Sequence, residues 1–349
     1  MTGKLHEYVS HIDKMNAELD QKVKERTAEV VSQKEEIEAQ RDEMESQRDE
    51  IERQRDYVIE QRDFIIQQKK AITDSIEYAG NIQSAVLPPL DYMKNILGDH
   101  FIYFMPRDIV SGDFYWAHQI KKKKVIVVAA DCTGHGVPGA FMSMLGITLL
   151  NEIILKKGIT SPAEILDNLK ANVVSALHQT NETGKSKDGI DLSVCLIDYE
   201  NKKLKYAGAY NPIYIVRSYE LDEEIEEVVK SHKQSDFTIE TLDKKFLVEI
   251  RADKNPIGIS HGQIQKYNLK SFDLKENDVI YMFSDGFADQ FGGDRRLKFL
   301  YRKFKQLLTA VSSQSMDQQS LEINKALQKW KGHEKQIDDI LVMGIRING

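Results

Sequence analysis

Residues 129–145, AADCTGHGVPGAFMSML, break the pattern of the chain around them. An apolar run from Val125 to Ala130 stops on Asp131. Gly134, Gly136, Pro138 and Gly139 follow within a few positions, and a helix-like stretch of small residues and methionines comes next. Glycine takes positive φ without steric cost and lets backbone approach backbone or ligand closely, at the expense of chain order. A buried strand that ends on a carboxylate and enters such a segment needs a reason to do so.

The same arrangement recurs elsewhere. Asp113 lies in IVSGDFYW, Asp285 closes VIYMFSDG, and Asp338-Asp339 open DDILVMGIRI. A single strand-end aspartate is usually a turn or cap residue. Four such sites in one domain, most with glycine close by, point instead to a carboxylate cage assembled from distant segments. All-oxygen donors suit a hard octahedral cation such as Mg2+ or Mn2+. The chain has no CxxC and no HExxH, so nothing in it reads as a zinc site.

Composition narrows the class. The chain has 349 residues, enough for one large core and something more. Its net charge of -7 argues against a nucleic-acid partner, which needs a basic face. The two cysteines, Cys132 and Cys195, sit in or beside apolar strand-like runs, which fits a reducing cytosol rather than a disulfide framework. Purely apolar runs such as Val125 to Ala130 are too short to span a bilayer, and MTGKLHEYVSHIDK lacks the apolar core of a signal peptide. The expectation is a cytoplasmic chain with no membrane segment.

The first part of the chain is a repeat: QRDEMES, QRDEIER, QRDYVIE, QRDFIIQ. With Ile37, Met44, Ile51, Val58, Ile65 and Ile72 at heptad position a, Gln40, Gln47, Gln54, Gln61 and Gln68 fall at d. Arg41, Arg48, Arg55 and Arg62 take e, and Glu36, Glu43 and Glu50 take g, which favours a parallel homodimer. Polar d positions lower the stability of such a rod and bring alternative registers closer in energy. The register continues through Ser75, Ala79, Ile82 and Val86, and Pro88-Pro89 ends the helix. The expected organisation is a coiled-coil helix over 1–76 and a globular domain over 77–349, with no Gly/Ser linker between them.

After Pro89 the pattern changes to short runs rich in Val, Ile, Tyr and Phe. Strands are expected at HFIYFMP, DFYWAHQI, KVIVVAAD, DLSVCLIDYE, KLKYAGA, PIYIVRS, KFLVEIR, IQKYNLK, DVIYMFSD and DDILVMGIRI. Helices are expected at GAFMSMLGITLLNEIILKK, SPAEILDNLKANVVSALHQT with Ser161 as cap, after Asp294, and at SLEINKALQKW. LDEEIEEVVKSHKQSD reads as an acidic insertion. Many strands with few helices predict an α+β sandwich.

The segments NIQSAVLPP, VSGDFYW, AADCTGHGVPGAFMSMLG, FSDGFAD and DDILVMGI, in that order, resemble the metal-dependent protein serine/threonine phosphatases of the PPM family, in their bacterial SpoIIE-like and RsbU-like branch. The resemblance covers about residues 77 to 349. It implies an α-β-β-α sandwich with two Mn2+ or Mg2+ ions at one end. By motif, Asp113 would bind one metal, Asp131 would bridge both, the backbone carbonyl of Cys132 would add an oxygen, and Asp285 and Asp338 would complete the coordination of the second metal. Asp113 and Asp131 carry the catalytic role in that scheme, in which a metal-activated water attacks phosphorus. The implied partner is a phosphorylated protein, an anti-sigma-factor antagonist in a partner-switching pathway; the alternative is a catalytically inactive signalling scaffold. The chain departs from the family pattern at Tyr210, where AGAYNP replaces an AGHNP-like turn, and at Leu341, where threonine is usual. Arg107 and His135 lie near the motifs but read as surface and turn residues.

Overall fold

The computed structural model describes residues 2–180, 188–219, 226, 228, 236–259 and 266–348. The chain divides into two units, Met1–Thr73 and Asp74–Gly349.

The first unit is helical, the greater part of α1 (Thr2–Val86). Its heptad a residues Ile37, Met44, Ile51, Val58, Ile65 and Ile72 are 58% to 69% exposed, so nothing within the unit covers the apolar seam. The d glutamines Gln47 and Gln54 reach back one turn to Glu43 and Glu50, with hydrogen bonds of 3.2 and 3.1 Å. Ion pairs along this helix, such as Arg55 with Glu52 and Asp56, are fully in solvent and contribute little each.

The second unit opens with the last turns of α1 and with α2 (Leu90–Leu97). Five strands then form one antiparallel sheet in the order β2 (Phe114–Lys121), β3 (Lys124–Cys132), β4 (Ile190–Asp198), β5 (Lys203–Ala209) and β9 (Lys270–Asp273). Six strands form the other: β1 (His100–Met105), β13 (Ile340–Arg346), β10 (Val279–Phe283), β6 (Ile213–Ser218), β8 (Lys245–Ile250) and β7 (Phe237–Leu242). Helices α3 (Gly136–Leu150), continued by a π-helical stretch to Lys156, and α4 (Pro162–Ala176) cover the smaller sheet. After the short α5 (Gly286–Asp289) and the hairpin β11 (Phe291–Gly292) and β12 (Leu297–Lys298), helices α6 (Tyr301–Val311) and α7 (Met316–Lys331) cover the larger one. The layers are α-β-β-α.

Burial on both faces explains why the central strands read as unbroken apolar runs. Along β10, Ile280 and Met282 join the core shared with the five-stranded sheet, while Val279, Tyr281 and Phe283 face the second core under α6 and α7. Along β13, Leu341, Met343 and Ile345 face inward, and Ile340 and Val342 outward. The segment Gly136–Lys156 is long and apolar enough by composition to cross a membrane, a length that purely apolar runs such as Val125 to Ala130 do not reach. Half of it is buried in this fold, with Ile147, Leu150 and Ile153 in the core, so it serves as a core helix.

Several local expectations need correction. IQKYNLK is not a strand over its described part before Lys270: the Tyr267 N–H donates to Asp167 Oδ1 and the Asn268 N–H to Asp253 Oδ2, so side-chain acceptors take the groups a ladder would use. Ser161 occupies the N-cap position of α4 but its side chain makes no capping bond. Strand β7, helix α2 and the β11–β12 hairpin were not foreseen. The acidic insertion over 221–236 lies outside the described residues except for Glu226, Val228 and Asp236.

Candidate metal centre

Strand register brings the first set of carboxylates together. Phe114 pairs with Ala130, so Asp113 stands one step further on, beside Asp131. Asp131 in turn pairs with Asp191 on β4. Opposed residues on antiparallel neighbours have Cα atoms roughly 4.5–5.5 Å apart, so three carboxylates line one end of the five-stranded sheet. The six-stranded sheet supplies the second set at the same end. Asp285 follows β10, and Asp338 and Asp339 precede β13, which pairs with it. Two hydrogen bonds tie the sheets here: Ser284 Oγ donates to Asp113 Oδ2, and the Gly112 N–H donates to Asp339 Oδ2 at 2.7 Å.

The glycines after Asp131 now have a cause. Gly134 takes φ +86, and its carbonyl oxygen lies where a Cβ on Gly139 or Gly112 would stand, at 2.3 and 2.6 Å. The turn leaving β3, the first turn of α3 and the loop before Asp113 cross too tightly for any side chain. At Gly112 the carbonyl oxygen of Cys132 is also near, 3.2 Å from an added Cβ. Gly134–Gly139 has GxGxxG spacing between a strand and a helix, but β3 is antiparallel to both neighbours, so it is not part of the βαβ unit that dinucleotide binding requires. GISHG at 258–262 has GxSxG spacing, and most of it lies outside the described residues.

Asp338 and Asp339 are adjacent but differently used. Asp339 is 2% exposed; its Oδ1 accepts from the Arg107 N–H and its Oδ2 from the Gly112 N–H, both at 2.7 Å. It clamps the loop that carries Asp113. Asp338 is half-buried; among the described residues its carboxylate accepts only the Asp339 N–H, through Oδ1, and its Oδ2 has no hydrogen-bond donor. The Arg107 guanidinium donates to the Ile337 carbonyl, bracing the strand entry. His135 pairs with Asp108 at 3.0 Å in the turn before α3.

The electrostatics are those of crowded anions. Burial, and after it the charges of Asp339, Asp338 and Asp285, hold the Asp113 carboxyl well above the usual carboxylate range against the pull of the Ser284 hydrogen bond. Burial and the charges of Asp113, Asp285, Asp338 and Asp191 do the same to Asp131. Burial and then Asp338 push Asp285 up to about 6; burial and then Asp285 push Asp191 up to about 6. Burial first, then Asp131, pushes the Cys132 thiol well up, which removes it as a thiolate nucleophile.

Among the described residues, no three acidic, thiol or imidazole groups stand close enough to hold one ion as placed. The donor chemistry nevertheless fits a hard divalent cation. Neither Asp113 nor Asp131 has a cationic side-chain partner among the described residues, and buried like charges require neutralisation. Asp191 was missed in the sequence, although it opens DLSVCLIDYE two residues after a glycine. Gln83 was missed as well. Its buried amide donates to the Ser111 carbonyl at 2.6 Å and to Ser143 Oγ at 2.8 Å, and accepts from the Ser111 N–H at 3.0 Å. It clasps the end of α1 to the Asp113 loop and to α3.

The family profile described as Stage II sporulation protein E (SpoIIE) matches residues 121–233 and 239–348. Among solved structures, the SiaA-PP2C domain of Pseudomonas aeruginosa is 28% identical with a TM-score of 0.64, over 80% of this chain and 98% of that one. The PP2C phosphatase domain with a regulatory fragment of SpoIIE from Bacillus subtilis is 22% identical with a TM-score of 0.50, over 72% of this chain and 61% of that one. The latter likeness is one of fold. No curated protein matches the chain.

Proposed function

The chain belongs to the SpoIIE family, and from that premise we propose that it is a Mn2+- or Mg2+-dependent protein serine/threonine phosphatase acting on a phosphorylated signalling protein in the cytoplasm. The observation that carries this reading is the meeting of Asp113 and Asp131 from one sheet with Asp285 and Asp338 from the other, with no cationic side chain between the first two. Two bound ions would supply an activated water as nucleophile and neutralise the phosphoryl oxygens. The protein's own part is to hold them. Asp113, Asp131, Asp285 and Asp338 present carboxylate oxygens and Cys132 its backbone carbonyl. Ser284 orients Asp113 through its hydroxyl, and Asp339 fixes the preceding loop through two N–H groups.

Hydrolysis of p-nitrophenyl phosphate and of a phosphoserine protein should require Mn2+ or Mg2+, stop on chelation, and be lost in Asp131→Asn. A wild-type chain that hydrolyses neither, with either metal, would instead be a catalytically inactive phosphatase-like scaffold. The substrate inferred from the family resemblance is an anti-sigma-factor antagonist; phosphoproteins retained by Asp131→Asn and identified by mass spectrometry would test that.

Regulation is assigned to the coiled coil. The exposed a-position seam supports a parallel homodimer, and the Gln83 clasp offers a path from the end of α1 to the Asp113 loop and α3. Cysteine crosslinking at a and d positions would report the pairing. Deletion of residues 1–70 should change activity per site and not only oligomeric state; equal activity per site would refute the regulatory role.

A further inference from the structure

The chain is acidic overall, yet residues 290–305, QFGGDRRLKFLYRKFK, hold six basic residues and a single acidic one. This segment follows Asp285 and α5 directly and is stitched back against them. The Phe299 N–H donates to the Gln290 carbonyl at 3.0 Å, the Leu300 N–H to the Ala288 carbonyl at 2.8 Å, and Lys298 Nζ to Asp289 at 2.7 Å. The Tyr301 ring centre lies 6.4 Å from that of Phe283, two residues before Asp285, which places this segment beside the carboxylate end. The segment therefore rims the candidate metal centre on the Asp285 side.

Most of its positive charge is already engaged. Lys298 is held by Asp289, Arg296 by Glu334 at 3.2 Å, and Lys305 by Glu240 and Glu249. Lys303 sits 3.8 Å from the centre of the Trp330 ring. Arg295 and Arg302 remain, both exposed and without an acidic partner among the described residues. Between them Leu297 and Leu300 are 56% and 55% exposed. Leu300 takes φ +72, a conformation that disfavours any residue with a Cβ. Its backbone is over-determined there, since its carbonyl accepts from the Lys303 and Phe304 N–H groups at 3.1 and 3.2 Å. Glycine would suit that backbone better, yet a leucine side chain is presented to solvent.

We propose that residues 295–302 are the docking rim for the phosphoprotein, taking acidic side chains that flank the phosphorylated residue on Arg295 and Arg302 and an apolar side chain on Leu297 and Leu300. The proposal rests on the phosphatase reading for what the rim serves. Two free guanidiniums spaced by leucines fit a protein segment better than a nucleic acid, whose phosphate backbone asks for an extended basic face. Arginine pairs with carboxylates in a bidentate fork, and apolar contact beside it anchors the chain.

The test is binding to the full chain in the presence of a chelator, read by fluorescence anisotropy. The probes are two fluorescein-labelled phosphoserine peptides, one flanked by glutamates and leucine, the other by serines and leucine. The acidic peptide should bind about tenfold tighter, and the preference should fade at about 0.5 M salt, where exposed ion pairs are screened. Arg295→Ala with Arg302→Ala should bring the two peptides within about twofold of each other, while Arg295→Lys with Arg302→Lys retains part of the preference. Leu300→Gly, which keeps the left-handed turn, should weaken both peptides without lowering the melting temperature. Equal binding of the two peptides by the wild type, or an unchanged preference in the alanine pair, overturns the proposal. So does arginine-dependent binding to vesicles of phosphatidylserine without peptide preference. Because binding is read without metal, a chain that hydrolyses nothing but keeps the acidic preference defeats the phosphatase reading alone. A chain that hydrolyses both peptides with equal kcat/KM and binds them equally defeats the rim alone.

Discussion

At the end of the five-stranded sheet, Asp113, Asp131 and Asp191 stand side by side because strand register puts them there. At the matching end of the six-stranded sheet, Asp285, Asp338 and Asp339 come from two strand ends, and one of the three is consumed by structure: Asp339 gives both oxygens to backbone N–H groups of the Asp113 loop. The first set has chemistry to offer and little hydrogen bonding; the second contains its own brace. Residue type and burial do not separate these roles, since Asp113 and Asp339 are equally buried at 2%. The bonding partners separate them.

Substitutions distinguish the two sets of carboxylates. The largest effect is expected for Asp131→Asn. Activity with p-nitrophenyl phosphate should fall by about a thousandfold or more, corresponding to roughly 4 kcal/mol of transition-state stabilisation, while the chelated protein melts no lower because a repelled carboxylate has been removed. Asp339→Asn should invert that pattern. An amide cannot accept both N–H groups, so stability should drop by about 2 kcal/mol in urea unfolding, with a smaller activity loss of about ten- to a hundredfold as the Asp113 loop loosens.

The pH dependence of the chelated protein sharpens the contrast further. Asp285 and Asp191 have folded-state values of about 6, raised by burial and neighbouring charge. Between the unfolded value of roughly 4 and that level the folded state binds more protons, so stability is fully present at the acidic side and is lost as pH rises through about 6. Urea unfolding at a series of pH values should show this fall, and saturating Mn2+ should flatten it. Asp191→Asn should remove part of the slope, about 1 kcal/mol across the window, and should reduce activity far less than Asp131→Asn. An equal loss in the two variants would make Asp191 a full member of the metal set and end the distinction drawn between them.

Much of the fold was legible because both faces of the central strands are buried, which leaves long β-branched and aromatic runs such as KVIVVAAD and DVIYMFSD with no polar interruption. What escaped notice lacked such a signal. β7 is an edge strand of mixed exposure, and IQKYNLK has a strand-like composition whose N–H groups were taken by Asp167 and Asp253. Of the candidate site, the aspartates at 113, 131, 285 and 338 were visible through strand ends and glycines. Asp191 was visible in principle: like Asp113 and Asp338 it stands at the start of a strand-like run, and Gly189 lies two residues before it. Gln83 lay inside the NIQSAVLPP motif, but residue type gave it no role of its own: it is one more polar residue on a helix that is elsewhere rich in glutamine.

The amino-acid sequence alone specified the helix with its heptad seam, the short β-branched and aromatic runs that make a two-sheet sandwich, and the placing of carboxylates and glycines at strand ends. These follow from local periodicity and from the steric demands of single residues. The tertiary structure was needed to show which carboxylates share an end, that Asp339 braces the Asp113 loop, that Gln83 clasps it, and that, among the described residues, Asp338 Oδ2 lacks a donor and Arg295 and Arg302 lack an acidic partner. Those outcomes depend on hydrogen-bond and charge partners far apart in the chain, and no local pattern encodes which group a side chain will meet.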